Sequence, residues 1–369
     1  MISYADRIAK TQEVLRSEHL AGAVFAPTDQ MRYLTGWAEH GHERLIALFV
    51  PAEGEPAFVV PSMNAQQARE NRAGVPDVRG WADETGWQRV VGALLTEWRT
   101  NGRGLAVDDE LQSVHLLGIQ DLAKGTTCVA AGDLMARLRE IKTSDEIALM
   151  ERSGAVTDAV YEESLGALRE GVTELEVQDA IAQAYKRRGT APAFALVCFG
   201  ANSALPHHHT GNAKLLHGDV VILDIGCVLD DYSSDITRTV AFGQPDAEAC
   251  KIYEIVDRAH RAAFDAARTG VTCEGVDAAA RSVIEGEGHG EYFIHRTGHG
   301  IGLSTHEPPY IVKGNKQPLK EGMCFSDEPG IYLPGRFGVR IENIVTVTSS
   351  GVRYLNADPP RTLTVIGSQ

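Results

Sequence analysis

The stretch Asp219–Phe242, DVVILDIGCVLDDYSSDITRTVAF, constrains the fold more than any other segment of this chain. Its first half is an apolar run of buried-strand character, and its second half is a return rich in Thr, Ile and Val. The polar letters between them read as a turn, so the whole predicts an antiparallel hairpin. Asp224 on the outgoing strand and Asp235 on the return strand then share a face. A turn centred on Leu229-Asp230 sets them directly opposite, and one centred on Asp230-Asp231 makes them diagonal neighbours. Either register leaves their Cβ atoms roughly 5–8 Å apart. Like charges so placed repel unless one keeps a proton or a cation lies between them. Turn capping by one Asp fits the same letters, so the hairpin alone leaves both roles open.

Three later residues extend the pattern. In HRTGHGIGLSTHEPPY, His299 stands between two glycines, where the backbone can pass close to a ligand, and His306 follows seven residues on. FSDEPGIYLPG offers Glu328 just before a Pro-Gly turn. GVRIENIVTV offers Glu342 in a strand, with Arg340 two residues earlier on the same face and Val339 and Ile341 on the other. Two Asp, two Glu and one His suit Mn²⁺, Co²⁺ or Zn²⁺. Four carboxylates match two divalent ions better than one. No GxSxG elbow, Walker loop or HExxH motif occurs, and GHGIGL lacks the spacing and the following acid of a dinucleotide fingerprint.

Composition narrows the class. At 369 residues the chain exceeds a single average core, so two domains are expected, over 1–130 and 131–369. Lys plus Arg number 35 against 50 acids, a formal charge of −15, which argues against nucleic-acid and anionic-membrane partners. No segment reaches the ~18 uninterrupted apolar residues of a membrane span. The charged start MISYADRIAK has no signal-peptide core, and six scattered cysteines read as reduced thiols, so a cytoplasmic protein is expected.

The first part alternates strand-like pieces (AGAVFAP, LIALFV, PAFVVP, GRGLAVD) with helical ones over 5–20 and 86–100, the pattern of an α/β domain. The second part reads as α+β. Thr143–Glu146 and Thr173–Glu176 fit the capping box, and helices are expected over 247–269 and 273–287.

The order Asp224, Asp235, His299, Glu328, Glu342 resembles the ligand set of the pita-bread metallopeptidases, which include Xaa-Pro dipeptidases (prolidases), aminopeptidase P, methionine aminopeptidases and the non-metal relative creatinase. NSALPHHH, GHGIGLSTHEPPYI, EPGIYLPG and GVRIEN are most similar to the Xaa-Pro branch. MRYLTGW and LREIKTSDEIALM carry the likeness more weakly into the first part and the junction.

The resemblance implies an α/β amino-terminal domain and an α+β pita-bread catalytic domain. It implies two divalent ions, with Asp224 on one, His299 and Glu328 on the other, and Asp235 and Glu342 bridging. A bridging hydroxide would attack the carbonyl before proline while Glu328 moves its proton. His207, the first of the PHHH run, and His306 would face the substrate. Arg340 would order Asp235 and Glu342 or meet substrate, and His295 would support the ligands.

The implied substrates are proline-containing dipeptides or short peptides, acted on by a homodimer. The Xaa-Pro dipeptidase reading leads, with aminopeptidase P as its alternative and an inactive binding protein on the same fold more remote. Arg296, Arg340 and Arg44 are the candidates to meet a dipeptide's free carboxylate. Asp327 stands where the family more often has an uncharged residue, and Asn343 where Asp is common. His208 and His209 are expected to be solvated side chains.

Overall fold

The computed structural model describes residues 3–98, 100 and 102–367. The chain divides into two compact units between Arg139 and Glu140. Among the described residues no helix is long and apolar enough to cross a membrane.

The amino-terminal unit is built on six strands in the order Asp77–Trp81, Ala57–Pro61, Ala47–Pro51, Leu20–Phe25, Gly104–Val107 and Cys128–Ala130. The expected strands fall among its four central members, which are almost wholly buried and therefore read as continuous apolar runs. The two edge strands carry no such run, because each is largely half-buried or exposed. The expected helices form over Tyr4–Ser17 and Gln88–Glu97, while Arg99 of the second expectation lies outside the described residues. Helix Ser113–Leu122 has no amphipathic signature, since it buries His115 and Ile119 and exposes Val114 and Leu117.

Among the described residues the carboxy-terminal unit contains two five-stranded sheets, each with a helix pair, and a separate two-stranded hairpin. Helices Ser144–Ser164 and Glu174–Arg187 pack on the sheet ordered Thr364–Ile366, Ile236–Phe242, Val220–Leu229, Pro192–Phe199. Both helices start in complete capping boxes, at Thr143 with Glu146 and at Thr173 with Glu176. On the second, the i, i+3, i+4, i+7, i+8 spacing of Val177, Ala180, Ile181, Ala184 and Tyr185 predicts one buried face, and all but the half-buried Ala180 are buried.

Helices Ala247–Ala266 and Cys273–Gly286 share a second core with the sheet ordered Glu307–Ile311, Gly298–Gly300, Cys324–Asp327, Asn343–Thr348, Gly351–Tyr354 and with the hairpin Gly330–Leu333/Phe337–Arg340. An isolated bridge between Thr237 and Glu342 ties the two sheets together. The six cysteines are free, four of them buried.

Candidate metal centre

The opening hairpin turns at Asp230-Asp231, whose φ angles of 50° and 72° are both left-handed, as a two-residue type I′ turn requires. That turn selects the second of the two registers. Asp224 faces Thr237, and Asp235 is its diagonal neighbour, in a short break before Ile236–Phe242. The return chain passes so close to Gly226 that a Cβ there would lie 2.2 Å from the Ser234 carbonyl oxygen. Asp230 pairs with Arg152 at the exposed turn, whereas Asp235 is buried.

His299 arrives from the other sheet. A Cβ on Gly298 would sit 1.7 Å from the Ser326 carbonyl oxygen, and one on Gly300 2.3 Å from that of Pro308, so the flanking glycines let three strands close around the imidazole. Its Nδ1 lies 3.0 Å from the Gly300 carbonyl oxygen and must carry the hydrogen, which leaves the Nε2 lone pair directed inward. That lone pair faces Glu328 Oε1 at 3.4 Å and Asp235 Oδ2 at 3.8 Å.

Glu342 enters over the sheet junction. Its backbone N–H donates to the Thr237 carbonyl, and the Thr237 hydroxyl donates to its Oε2 at 2.6 Å. Among the described residues, ligand atoms of Asp235, His299 and Glu342 all lie within 4.8 Å of one another. Glu328 joins them through His299 and is steadied by the Ser326 hydroxyl. Asp224 is held by Arg340 Nη2 at 2.5 Å. The fold therefore brings all five residues to one place.

The electrostatics of the bare cluster are unfavourable. Burial, and then the charges of Glu342, Asp224 and Glu328, push the Asp235 carboxyl well above its ordinary range. Burial followed by Glu328 and Asp224 does the same to Glu342. Burial lifts Glu328 to about 7, with Arg340 opposing and Asp224 reinforcing the rise. Burial holds His299 down to about 3, so its approaches to Asp235 and Glu328 are not ion pairs. A neutral imidazole aiming a lone pair at two carboxylates, with Asp224 Oδ1 and Asp235 Oδ1 buried and without a hydrogen-bond partner among the described residues, is the donor arrangement of a cation site. The donor set of carboxylate oxygens and one imidazole fits a divalent transition ion.

Comparison with known proteins agrees with this geometry. The family model for metallopeptidase family M24 matches residues 148–349, and that for the creatinase/prolidase N-terminal domain matches residues 7–141. The chain belongs to metallopeptidase family M24. It is 41% identical over 366 residues to a probable dipeptidase PepE of Mycobacterium tuberculosis, covering 98% of this chain and 96% of that one. It is 36% identical to an Xaa-Pro dipeptidase of Lactobacillus helveticus, covering 93% and 95%. Among solved structures, a prolidase from Thermococcus sibiricus superposes with a TM-score of 0.94 at 36% identity, covering 99% of this chain and 100% of that one. The peptidase is thus a hydrolase with a creatinase-type amino-terminal domain and a pita-bread catalytic domain, and its family uses divalent metal ions.

Around the cage of this metallopeptidase the structure sharpens several expectations. Arg340 reaches Asp224 directly, and Glu342 through Thr237, to whose hydroxyl its Nε donates at 2.9 Å. The resemblance implies that Arg340 orders Asp235 and Glu342 or meets substrate; the structure gives it Asp224 and, through Thr237, Glu342. Arg340 Nη1 also donates to the Tyr332 hydroxyl. His295 Nδ1 lies 2.7 Å from the Arg296 carbonyl oxygen, so it bears the hydrogen and Nε2 accepts from Tyr332.

His306 sets its ring edge-on to His299 at 4.0 Å between centroids. His207 is exposed, three residues beyond the Gly200–Ala204 turn. His208 is not merely solvated. It bonds Glu174, a buried carboxylate that also accepts from the Phe199 and Gly211 backbone and from Asn202.

Thr237 and Tyr332 were not singled out in the sequence. Thr237 carries a signal in retrospect, since Asp235, Thr237 and Thr239 alternate onto one face of the return strand. Tyr332 carries none, because only the fold of the second hairpin brings it to Arg340.

The two departures from the family pattern prove to be neighbours. Asp327 lies directly across from Asn343 in the sheet. Asp327 is 1% exposed, neither of its oxygens has a hydrogen-bond partner among the described residues, and His260 Nε2 stands 3.9 Å away. An acid at both positions would bury two carboxyls side by side. Asn343→Asp is expected to destabilise the protein by about 2–3 kcal/mol. Moving the acid across, in Asp327→Asn/Asn343→Asp, should recover most of that loss. Thermal unfolding of the three variants checks it, and a double variant no better than the single one would count against the pairing.

Proposed function

We propose that this metallopeptidase is an Xaa-Pro dipeptidase whose five-residue cage holds two divalent ions. The observation that carries the reading is the convergence of Asp235, Glu328 and Glu342 on the inward lone pair of a neutral His299, with Asp224 close enough for its charge to add to the burial that raises all three carboxyls. Asp224 would bind one ion, His299 and Glu328 the other, and Asp235 and Glu342 both. When bound, the ions would make a water molecule acidic enough to attack and would polarise the scissile carbonyl.

The protein's own groups then have defined tasks. Glu328, poised near neutrality by burial, takes the proton of the attacking water and returns it to the leaving nitrogen. His306, edge-on to His299, and His207 face the substrate and donate to the oxygen on which negative charge develops. Arg340 fixes Asp224 and, through Thr237, Glu342, so that neither carboxylate swings when charge moves. A proline nitrogen has no hydrogen, so the departing group must be protonated and the site has no amide N–H to satisfy.

Support for a dipeptidase comes from the relatives named as such and from Arg296. Arg340 is spent on Asp224, Thr237 and Tyr332, and Arg44 belongs to the amino-terminal unit, where it bonds Asp83 and Glu43. Arg296 packs its guanidinium on the Tyr310 ring at 4.4 Å, and its charge reaches Glu328, His299 and His306. We assign it to the free carboxylate of the dipeptide. Arg296→Ala is expected to raise KM for Ala-Pro about 10- to 100-fold with little change in kcat. A fall in kcat at constant KM would remove the assignment.

The reading as a whole is tested by hydrolysis of Ala-Pro, Ala-Pro-Ala and a methionyl peptide after chelation and readdition of Mn²⁺, Co²⁺ or Zn²⁺. Metal-dependent cleavage of Ala-Pro alone is the expected result. Preferential cleavage of Ala-Pro-Ala would instead make it an aminopeptidase P, and cleavage of only the methionyl peptide would refute both.

A further inference from the structure

Helix Glu174–Arg187 is capped by Thr173 together with Glu176, so its start needs nothing from Glu174. Glu174 nevertheless turns inward from the first helical position and is fully buried. A carboxylate so placed is costly unless donors meet its oxygens. Four donors do, two on each oxygen. The Phe199 backbone N–H and the Asn202 side-chain amide reach Oε1 at 2.9 and 2.8 Å. His208 Nε2 and the Gly211 N–H reach Oε2, both at 2.9 Å.

All four donors belong to one loop, 199–211, two of them before His207 and two after it. Between them the chain makes consecutive tight turns, with the Leu205 N–H on the Asn202 carbonyl and the His208 N–H on the Leu205 carbonyl. The loop is also seated on the metal centre. Its buried Ser203 hydroxyl accepts from the Gly338 N–H at 2.8 Å, and a Cβ on Gly338 would lie 2.1 Å from the Ser203 carbonyl oxygen. Gly338 stands in strand Phe337–Arg340, whose last residue holds Asp224. Strand Pro192–Phe199, from which the loop departs, pairs Leu196 with Asp224. Leu205 and His207 are the exposed residues of the span between the two sets of donors.

A donor stabilises developing negative charge only if it is already in place when the charge appears. An imidazole on a free loop would have to be ordered at that moment. A carboxylate suits the task of ordering it beforehand, because both oxygens accept and neither carries a hydrogen. Glutamine at the same position would turn an amide NH₂ toward two of the four donors. We propose that Glu174 is a positioning residue for peptide hydrolysis, locking loop 199–211 so that the His207 imidazole is held toward the substrate. The proposal rests on the reading of His207 as a group that meets the substrate, and it holds for whichever peptide is cleaved.

The test is a double-mutant cycle on the full-length, metal-loaded enzyme, read with the peptide of the panel that the wild type cleaves. His207→Ala is expected to lower kcat by about 10²-fold, as loss of a donor to the oxyanion does. Glu174→Gln should lower kcat at least about tenfold through misplacement of that donor, with KM little changed. Added to His207→Ala, Glu174→Gln should lower kcat by no more than about twofold, because the two act as one unit. A merely structural role would give the same loss in both backgrounds, and that result, or undiminished kcat in Glu174→Gln, would overturn the proposal. Undiminished kcat in His207→Ala would overturn it together with the role of His207. Preference for Ala-Pro-Ala over Ala-Pro would change only the dipeptidase reading. The His208 side chain is 15% exposed, so its variants remain informative if Glu174→Gln does not fold. His208→Ala should lower kcat about threefold or more, and His208→Gln, which keeps a donor at the Nε2 position, should recover it. Equal kcat in those two variants would also count against the lock.

Discussion

Glu328→Gln is expected to lower kcat for Ala-Pro by about 10²- to 10⁴-fold, the range that a positioned general acid–base group contributes. The reason is local. Glu328 sits where the chain leaves strand Cys324–Asp327, with its backbone N–H on the Thr297 carbonyl and its Oε1 on Ser326. Those two contacts fix the carboxyl against His299, and burial sets its affinity for a proton near neutrality. Glutamine keeps the size and one oxygen but cannot take up a proton. KM should therefore change far less than kcat, and steady-state kinetics with Mn²⁺ content measured in parallel separates lost proton transfer from lost metal. A variant with full metal and undiminished kcat would remove Glu328 from the proton path.

Chelation is expected to lower the Tm by about 5–10 °C near neutral pH. Ligand at a hundredfold excess over its dissociation constant contributes about 2.7 kcal/mol. Each kcal/mol shifts a domain the size of the catalytic unit by roughly 2–4 °C. The shift should be larger at pH 8 than at pH 5.5, and the sign follows from the carboxyl groups. Asp235, Glu342 and Glu328 have folded-state affinities for protons raised above their unfolded values. The metal-free fold thus binds more protons than the unfolded chain, and its stability falls as pH rises from about 4. For Glu328 the loss is complete only above about 7. Bound cations remove that penalty.

Buried neutral histidines act in the opposite sense. His260 is depressed to about 3 and His295 to about 4, so each withdraws stability as pH falls below about 6.5. They do so with or without metal, and the difference between loaded and chelated protein cancels them. Thermal melts with and without EDTA at the two pH values check this. An equal shift at both would mean that the carboxylates are not the groups the metal relieves.

Much of the centre was legible in the letters. Strand periodicity put Asp224 and Asp235 on one face, Gly-His-Gly announced a crowded backbone around His299, and alternation placed Arg340 and Glu342 together. The amino-terminal core strands were equally plain, because burial on both faces writes itself as an unbroken apolar run. Edge strands Asp77–Trp81 and Cys128–Ala130 left no such mark, since half-buried or exposed positions accept polar residues. Helix Ser113–Leu122 reads against the rule altogether, with a histidine inward and valine and leucine outward.

By itself, then, the sequence singled out the five residues that the fold gathers at the centre and showed that a hairpin must present two of them, because side-chain alternation and local turn preference are properties of short segments. The register of that hairpin needed backbone conformation, two consecutive left-handed aspartates that the letters permit but do not require. The partners of Arg340, the pairing of Asp327 with Asn343 and the four donors on Glu174 were decided only by tertiary structure. Each depends on contacts between segments far apart in the chain, and no local rule specifies which of them will meet.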